Sequence, residues 1–421
     1  MATFYLLGAG ASYAYAQSPT TERPPLARGL FSTFSKLEIS GNIDVKVGTL
    51  INYVRDHYGV PYEEFWRFDI DAEDFMTELR RLIADQADAF TKKVATPEDH
   101  FKMIQLGGAY TQTLFLFSHI LNEISNGPVS AEYAHLITRL RPGDAIATFN
   151  WDTLLDRALA ASGTWSIEDG YGLRFTMIMR DEWERPSSRM HSPVKLLKLH
   201  GSTNWLVNWS TFDRGGNRQT MVPSSTTDAV FINVNLCYEQ KPLRDLSQVK
   251  NLSKVVFEPV IDERPGIIWV PTAKAPVDVY GFESGRSRFD TWRDRYRPGY
   301  AAFTYFMPPN VPEHPIPMMP LLVALTREKE YDVYASVLEK LWDQARSEIQ
   351  AASRIEIIGY SFPKTDERSR KLISAALTTN AQIVVVNPYP ESVVEALQAV
   401  GFPEDRIEVI KLGLTEYLAT G

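Results

Sequence analysis

Five short stretches of the chain are apolar on both faces: TFYLL at 3–7, DAIATF at 144–149, VKLLKL at 194–199, IEII at 355–358 and AQIVVV at 381–386. A half-exposed strand would alternate polar and apolar positions, so short continuous runs predict strands buried on both sides. Helical patterns lie between them. Residues 331–353 place Val333, Val337, Leu341, Trp342, Ala345 and Ile349 along one stripe, the spacing of an amphipathic helix. TLLDRALAAS at 153–162 runs into Gly163, a natural helix stop, and 63–93 and 101–125 read as longer helices. Buried strands alternating with helices predict an α/β fold, a Rossmann-like and mostly parallel sheet with helices on both faces. Residues 203 to about 325 break the pattern with Pro, aromatics and turn signals, plus short β-like runs at 229–234 and 267–270. This stretch is expected to be an irregular or β insertion, because chain on both sides of it is needed to complete the sheet. A helical insertion is expected at about 40–140, and the whole of 1–421 reads as a single domain.

Ligands of open parallel sheets bind outside the carboxyl ends of the strands. Every predicted strand here ends in residues suited to binding or chemistry. The first ends in Gly8, Ala9, Gly10, Ala11 and Ser12, the second in Asn150, Trp151 and Asp152, and the third in His200, Gly201 and Ser202. The fourth ends in Gly359, Tyr360 and Ser361, and the fifth in Asn387 and Pro388. A glycine loop after a strand lets backbone N–H groups approach a pyrophosphate; it also suits a tight turn at a packing contact. A dehydrogenase would need a second strand ending in an acid about 20 residues on. The nearby acid, Glu22, lies in the loop sequence PTTERPP, which disfavours hydride transfer. Asp152 fits a helix N-cap. Asn150 follows an apolar strand, and its amide can both donate and accept, as ribose hydroxyls or an attacking water require. Of seven histidines, His200 stands out, because the preceding strand delivers it to the same sheet edge and Gly201 leaves room beside it. An imidazole titrating near pH 6.5 suits removing a proton from a hydroxyl or water.

Composition narrows the classes. With 44 Lys+Arg against 52 Asp+Glu the net charge is −8, which argues against a chain that coats nucleic acid or an anionic membrane. The stretch 286–297 (RSRFDTWRDRYR) could contact single-stranded nucleic acid, but a solvated face or subunit contact is the expectation, leaving nucleic-acid binding weak or indirect. Cys237 is the only cysteine, so a disulfide framework and a zinc ribbon are excluded, and no metal is expected. The uncharged start of the chain resembles an export signal, yet it has no basic n-region, since the first charge is Glu22. No window approaches the ~20 apolar residues of a membrane span. A cytoplasmic protein is expected.

Taken together and in order, GAGAS, T-x-N-W-D, K-L-H-G-S, G-Y-S and the late N-P resemble the sirtuin superfamily, and most of all its bacterial branch of sirtuin-like NAD hydrolases in antiphage defence. The resemblance covers residues 3–30, 144–205 and 354–390. It implies NAD as substrate, with Asn150 and His200 catalytic. It further implies Gly8, Ala9, Gly10, Ala11 and Ser12 at the dinucleotide phosphates, with Asp152 among the binding residues, and Gly359, Ser361 and Asn387 on the adenosine side. It also implies a homo-oligomer or a defence-system partner protein. Deacetylases of the superfamily carry a four-cysteine zinc module that one cysteine cannot build, so water is the expected acceptor. A nucleotide-sensing regulatory subunit without turnover is the alternative. Residues 18–28 and 203–227, rich in Pro, Ser, Thr or Gly, are expected to be loops that close over the site.

Overall fold

The computed structural model describes residues 2–26, 28–37, 48–91, 96–125, 127–179, 183–187, 192–213, 219–223, 230–233, 257–261, 267–271, 302–306, 316–327, 329, 335–363 and 366–420. Cys237 and the Arg-rich stretch 286–297 lie outside them. All five predicted strands form: β1 (Thr3–Leu7), β2 (Ala145–Thr148), β3 (Lys195–Lys198), β4 (Arg354–Ile358) and β5 (Gln382–Val386). A sixth, β6 (Ile407–Ile410), completes the sheet at its edge. All pairings are parallel, in the spatial order β6-β5-β4-β1-β2-β3. The chain therefore runs outward one way from β1 to β3, crosses back, and runs outward the other way from β4 to β6. That is the order of doubly wound dinucleotide-binding sheets, and its crevice opens where β1 meets β4.

The four inner strands and the edge strand β3 are covered on both faces, which is why their sequences are so apolar: Leu6, Ile146, Leu196, Ile355 and Val384 are all fully buried. Among the described residues the helices are α1 (Ala9–Tyr13), α2 (Leu30–Lys36), α3 (Gly48–Tyr58), α4 (Ala72–Thr91), α5 (Pro97–Ser125), α6 (Ala131–Thr138), α7 (Leu154–Ala161), α8 (Ala335–Ala351), α9 (Glu367–Ser374), α10 (Glu391–Ala399) and α11 (Leu414–Ala419). The apolar stripe expected over 331–353 becomes, from Ala335 on, the buried face of α8, with Val337, Leu341, Trp342, Ala345 and Ile349 in the core; Val333 lies outside the described residues. The described residues between 30 and 125 are mainly helical and build an aromatic core around Phe31, whose ring meets Phe68, Phe75 and Phe117 edge-on at 5.2, 5.1 and 5.3 Å. Edge-on contact suits the ring quadrupole.

The region after His200 corrects one expectation. Residues 203–227 do not form a loop throughout: Gly201–Asp213 is a 13-residue strand, and Trp209 to Asp213 pairs antiparallel with Gln219–Pro223. The same long strand pairs antiparallel with Ile316–Leu322 and with Val230–Asn233. These strands, with Phe257–Ile261, Ile267–Pro271 and Ala302–Phe306, belong to a second, largely antiparallel sheet that departs directly from the end of β3.

Candidate active site at the carboxyl edge of the parallel sheet

At the β1/β4 junction two glycine loops close on each other. Gly8 N donates to Ile358 O at 3.0 Å, and Gly10 N donates to Gly359 O at 2.9 Å. A Cβ on Gly8 would lie 2.6 Å from Gly359 O, and one on Gly10 would lie 2.9 Å from Gly359 Cα. Gly359 itself has φ +62°, and a Cβ there would lie 2.3 Å from Ala11 N. Side chains at these positions would prise the loops apart. Ala11 N donates to Gly8 O at 2.9 Å, so three of the loop's N–H groups are used within the chain, and Ala9 is its exposed position. The glycines thus serve a packing contact first.

Asn150 follows β2. Its amide Nδ2 donates to Gly8 O at 2.9 Å and to Ser12 Oγ at 2.8 Å, tying the β2 end to the glycine loop. Ser12 Oγ also lies 2.9 Å from the buried Tyr133 hydroxyl, which burial holds well above the usual phenol range. With both amide hydrogens engaged, the Asn150 side-chain plane is set, and with it the direction of Oδ1. Asp152 is not the N-cap it was expected to be: Thr153 holds that position ahead of α7, and Asp152, one residue earlier, accepts from Leu154 N at 3.0 Å. Burial pushes its carboxyl up, against the pull of the Lys198 ammonium and the Ser12 hydroxyl. Under this turn lies a charge pair that the sequence reading passed over. Lys198 Nζ is 3.1 Å from Asp156 Oδ2, at 0% and 1% side-chain exposure, and it also donates to Asp152 O. Tyr171 donates to Asp156 Oδ1.

His200 stands one strand over. Leu199 N donates to Thr148 O at 2.9 Å, which carries the β2/β3 ladder up to the two candidate residues. The imidazole is 6% exposed and packs on Phe149 at 4.8 Å, which in turn stacks on Tyr360 at 4.3 Å. Burial lowers its pKa to about 4; Asp366 opposes that shift, while Lys329 and Arg368 add to it. The expected titration near pH 6.5 is therefore not met: the imidazole is neutral at pH 7, free to accept a proton, but it is a weaker base than an exposed histidine. Gly201 does not open space for a ligand as expected. At φ +79°, its missing Cβ makes room for the neighbouring strand, since a Cβ would sit 1.9 Å from Leu321 O.

On the other side of the switch point, Ser361 is exposed and its carbonyl accepts from Ser392 Oγ at 3.4 Å. Asn387 is half-buried; its Nδ2 donates to Tyr360 O at 3.3 Å, and its Oδ1 accepts from Tyr389 N at 2.9 Å. The fold therefore brings Asn150 and His200 together beside the Gly8/Gly359 junction and puts Ser361 and Asn387 at the ends of β4 and β5. Asp152 faces inward, to its own helix and Ser12. Between the β2 and β3 ends, the buried atoms Trp151 Nε1, Thr153 Oγ1, Thr203 Oγ1 and Asn204 Nδ2 have no hydrogen-bond partner among the described residues. Buried polar atoms seldom go unpaired, so this edge suits a polar ligand or ordered water.

No family model matches the sequence, and no curated protein matches it. Solved structures similar in shape include one on sirtuin substrate affinity, at 12% identity over 100% of this chain and 92% of that one, with a TM-score of 0.32. A Sir2 homolog–NAD complex matches at 13% identity over 99% of this chain and 86% of that one, TM-score 0.34. Sir2 bound to acetylated peptide matches at 11% identity over 100% and 91%, TM-score 0.31. Backbones that overlap this little carry neither fold nor function from one protein to the other. The α/β class rests on the strand order itself. Among the described residues no group of His, Cys, Asp and Glu is placed to hold a metal ion, and no helix is long and apolar enough to cross a membrane.

Three participants escaped the sequence reading. Asp366 lies between Pro363 and α9, and an Asp three residues ahead of Ser369 is a helix N-cap signal that could have found it. Lys198, in the strand before His200, and Tyr133, on α6, carry no local signal of their roles.

Proposed function

We propose that this chain is a sirtuin-like NAD hydrolase, cleaving the nicotinamide–ribose bond to give nicotinamide and ADP-ribose, and that it acts as an antiphage effector by depleting NAD. One observation carries the reading. Asn150 and His200, 50 positions apart in sequence, stand at neighbouring strand ends beside the switch-point crevice. The motif order suggests the substrate, and the geometry is compatible with the roles.

Breaking the bond passes through an oxocarbenium-like ribose, with the electron pair leaving on a neutral nicotinamide. The chain must hold the dinucleotide, exclude bulk water and admit one acceptor. In this reading the 8–12 loop, presenting Ala9, borders the pyrophosphate, and Gly359, Ser361 and Asn387 border the adenosine side. Asn150, fixed by Gly8 and Ser12, directs Oδ1 toward a ribose hydroxyl or the attacking water. His200, neutral at pH 7, takes a proton from that group. With a single cysteine in the chain, the four-thiolate module of the peptide deacetylases cannot be built, which favours water as acceptor.

Mass spectrometry of NAD and its products, after incubation with wild type and Asn150→Ala, tests this. Nicotinamide and ADP-ribose from wild type only are expected. Equal products from both proteins would overturn the role of Asn150. A second reading, a nucleotide-sensing regulatory subunit without turnover, gains from one detail: both amide hydrogens of Asn150 are already bonded within the chain, which leaves that side chain only Oδ1 for a substrate. Saturable NAD binding with no product would support it.

A further inference from the structure

His200 faces a carboxylate that no part of the proposed reaction uses. Asp366 is 1% exposed, and its Oδ2 lies 3.8 Å from His200 Nε2. Its own position is set from several sides. Oδ1 accepts from Ser369 N at 3.1 Å as the N-cap of α9, Oδ2 accepts from the Tyr360 hydroxyl at 2.7 Å, and Ser369 Oγ donates to Asp366 O at 2.9 Å. Tyr360 stacks on Phe149, which packs on His200, so the same aromatic column braces both imidazole and carboxylate. Capping needs one carboxylate oxygen, and Asn would cap as well. A second oxygen that accepts from Tyr360 and also lies 3.8 Å from a buried imidazole goes beyond what the helix requires.

We propose that Asp366 is the positioning residue of His200, drawing Nε2–H toward Oδ2 so that Nδ1 presents its lone pair as the proton acceptor. The proposal rests on the hydrolase reading for its chemical purpose and on the 3.8 Å geometry for its existence. Side-chain rotation of under an ångström brings this pair within hydrogen-bond reach, and catalytic hydrogen bonds commonly tighten when substrate binds. In the reaction, water oxygen bonds to the ribose C1′ as the bond to nicotinamide breaks. The bond's electron pair leaves with nicotinamide, and the proton from water passes to Nδ1. The imidazolium formed then lies against the Asp366 carboxylate, which lessens the cost of charging a buried ring. Lys329 and Arg368 are the other charged groups that bear on the imidazole, and both oppose its protonation. Asp366 is the group that counters them.

The test is Asp366→Asn, which keeps size and cap but removes the charge, read in two ways on the full chain. Steady-state kinetics should show kcat for NAD falling at least tenfold with KM within twofold and melting temperature unchanged. Nitrogen-15 NMR of the His200 ring should show a changed tautomer balance and a lower imidazole pKa in the variant. Unchanged His200 ring signals would overturn the proposal, whatever happens to turnover, because a merely structural Asp366 would leave them alone. If wild type does not cleave NAD, the hydrolase reading fails on its own, and the ring signals still decide whether Asp366 governs His200.

Discussion

The two candidate catalytic residues sit side by side but are held by opposite means. Asn150 is fixed by hydrogen bonds: Gly8 O and Ser12 Oγ take its amide hydrogens, Tyr133 backs Ser12, and the buried Lys198–Asp156 pair supports the turn beneath. His200 is fixed by contact: Phe149 lies on its ring, Tyr360 on Phe149, and its nearest counter-charge stands at 3.8 Å. The difference follows from the work each would do. An amide that orients a water or a hydroxyl must not rotate, and directional bonds prevent that. A base must change charge during turnover. A dry aromatic wall keeps it neutral beforehand, with a carboxylate in reach for afterwards.

The largest effect is expected on the Asn150 side. Lys198→Met should cost about 3–5 kcal/mol, because it leaves the Asp156 carboxylate buried without its partner; denaturant unfolding measures this. A loss under 1 kcal/mol would mean that the pair is not part of what supports the turn. On the His200 side the mark is pH dependence. The imidazole titrates near 6.5 in the unfolded chain and at about 4 in the folded one, so between those values the unfolded state binds more protons. The contribution is fully present above pH 6.5 and is lost as pH falls toward 4, up to about 3 kcal/mol. His200→Gln should flatten the difference in stability between pH 7 and pH 4.5, whereas Asn150→Ala should leave that slope as it is. The smallest effect sharpens the account. Tyr133→Phe removes one hydroxyl behind Ser12 and should cost about 1 kcal/mol while reducing turnover only several-fold. Loss of all turnover would make Tyr133 more than a backing group.

Much of this arrangement is legible in the sequence. Doubly buried strands write themselves as apolar runs, so five of the six parallel strands and the residues at their ends can be read directly. β6 is not legible in this way, because it lies uncovered at its edge, unlike the buried edge strand β3: Glu408 and Val409 are both exposed, and IEVI has no fully buried position. The strand Gly201–Asp213 carries a mixed signal: NWLVNWSTF is rich in β-branched and aromatic residues, while its Ser, Thr and Asn are loop formers. Asn150 and His200 were legible as strand-end residues. Asp366 is legible only as the N-cap of α9, since its place 3.8 Å from His200 is a tertiary contact that no spacing in the sequence encodes. Gly201 shows the converse error. A glycine next to a candidate base suggested room for substrate, and the space is filled by Leu321 of a neighbouring strand.

The central claim is that the β2 and β3 ends form one site in which a dinucleotide is bound and its glycosidic bond broken. It is tested most directly by measuring NAD binding and NAD cleavage on the same preparations of wild type, Asn150→Ala and His200→Ala. Calorimetry should give wild-type-like binding in His200→Ala and no more than a modest loss in Asn150→Ala. Product formation should fall at least a hundredfold in both, the scale of lost general acid–base catalysis. Cleavage at the wild-type rate in either folded variant would contradict the claim.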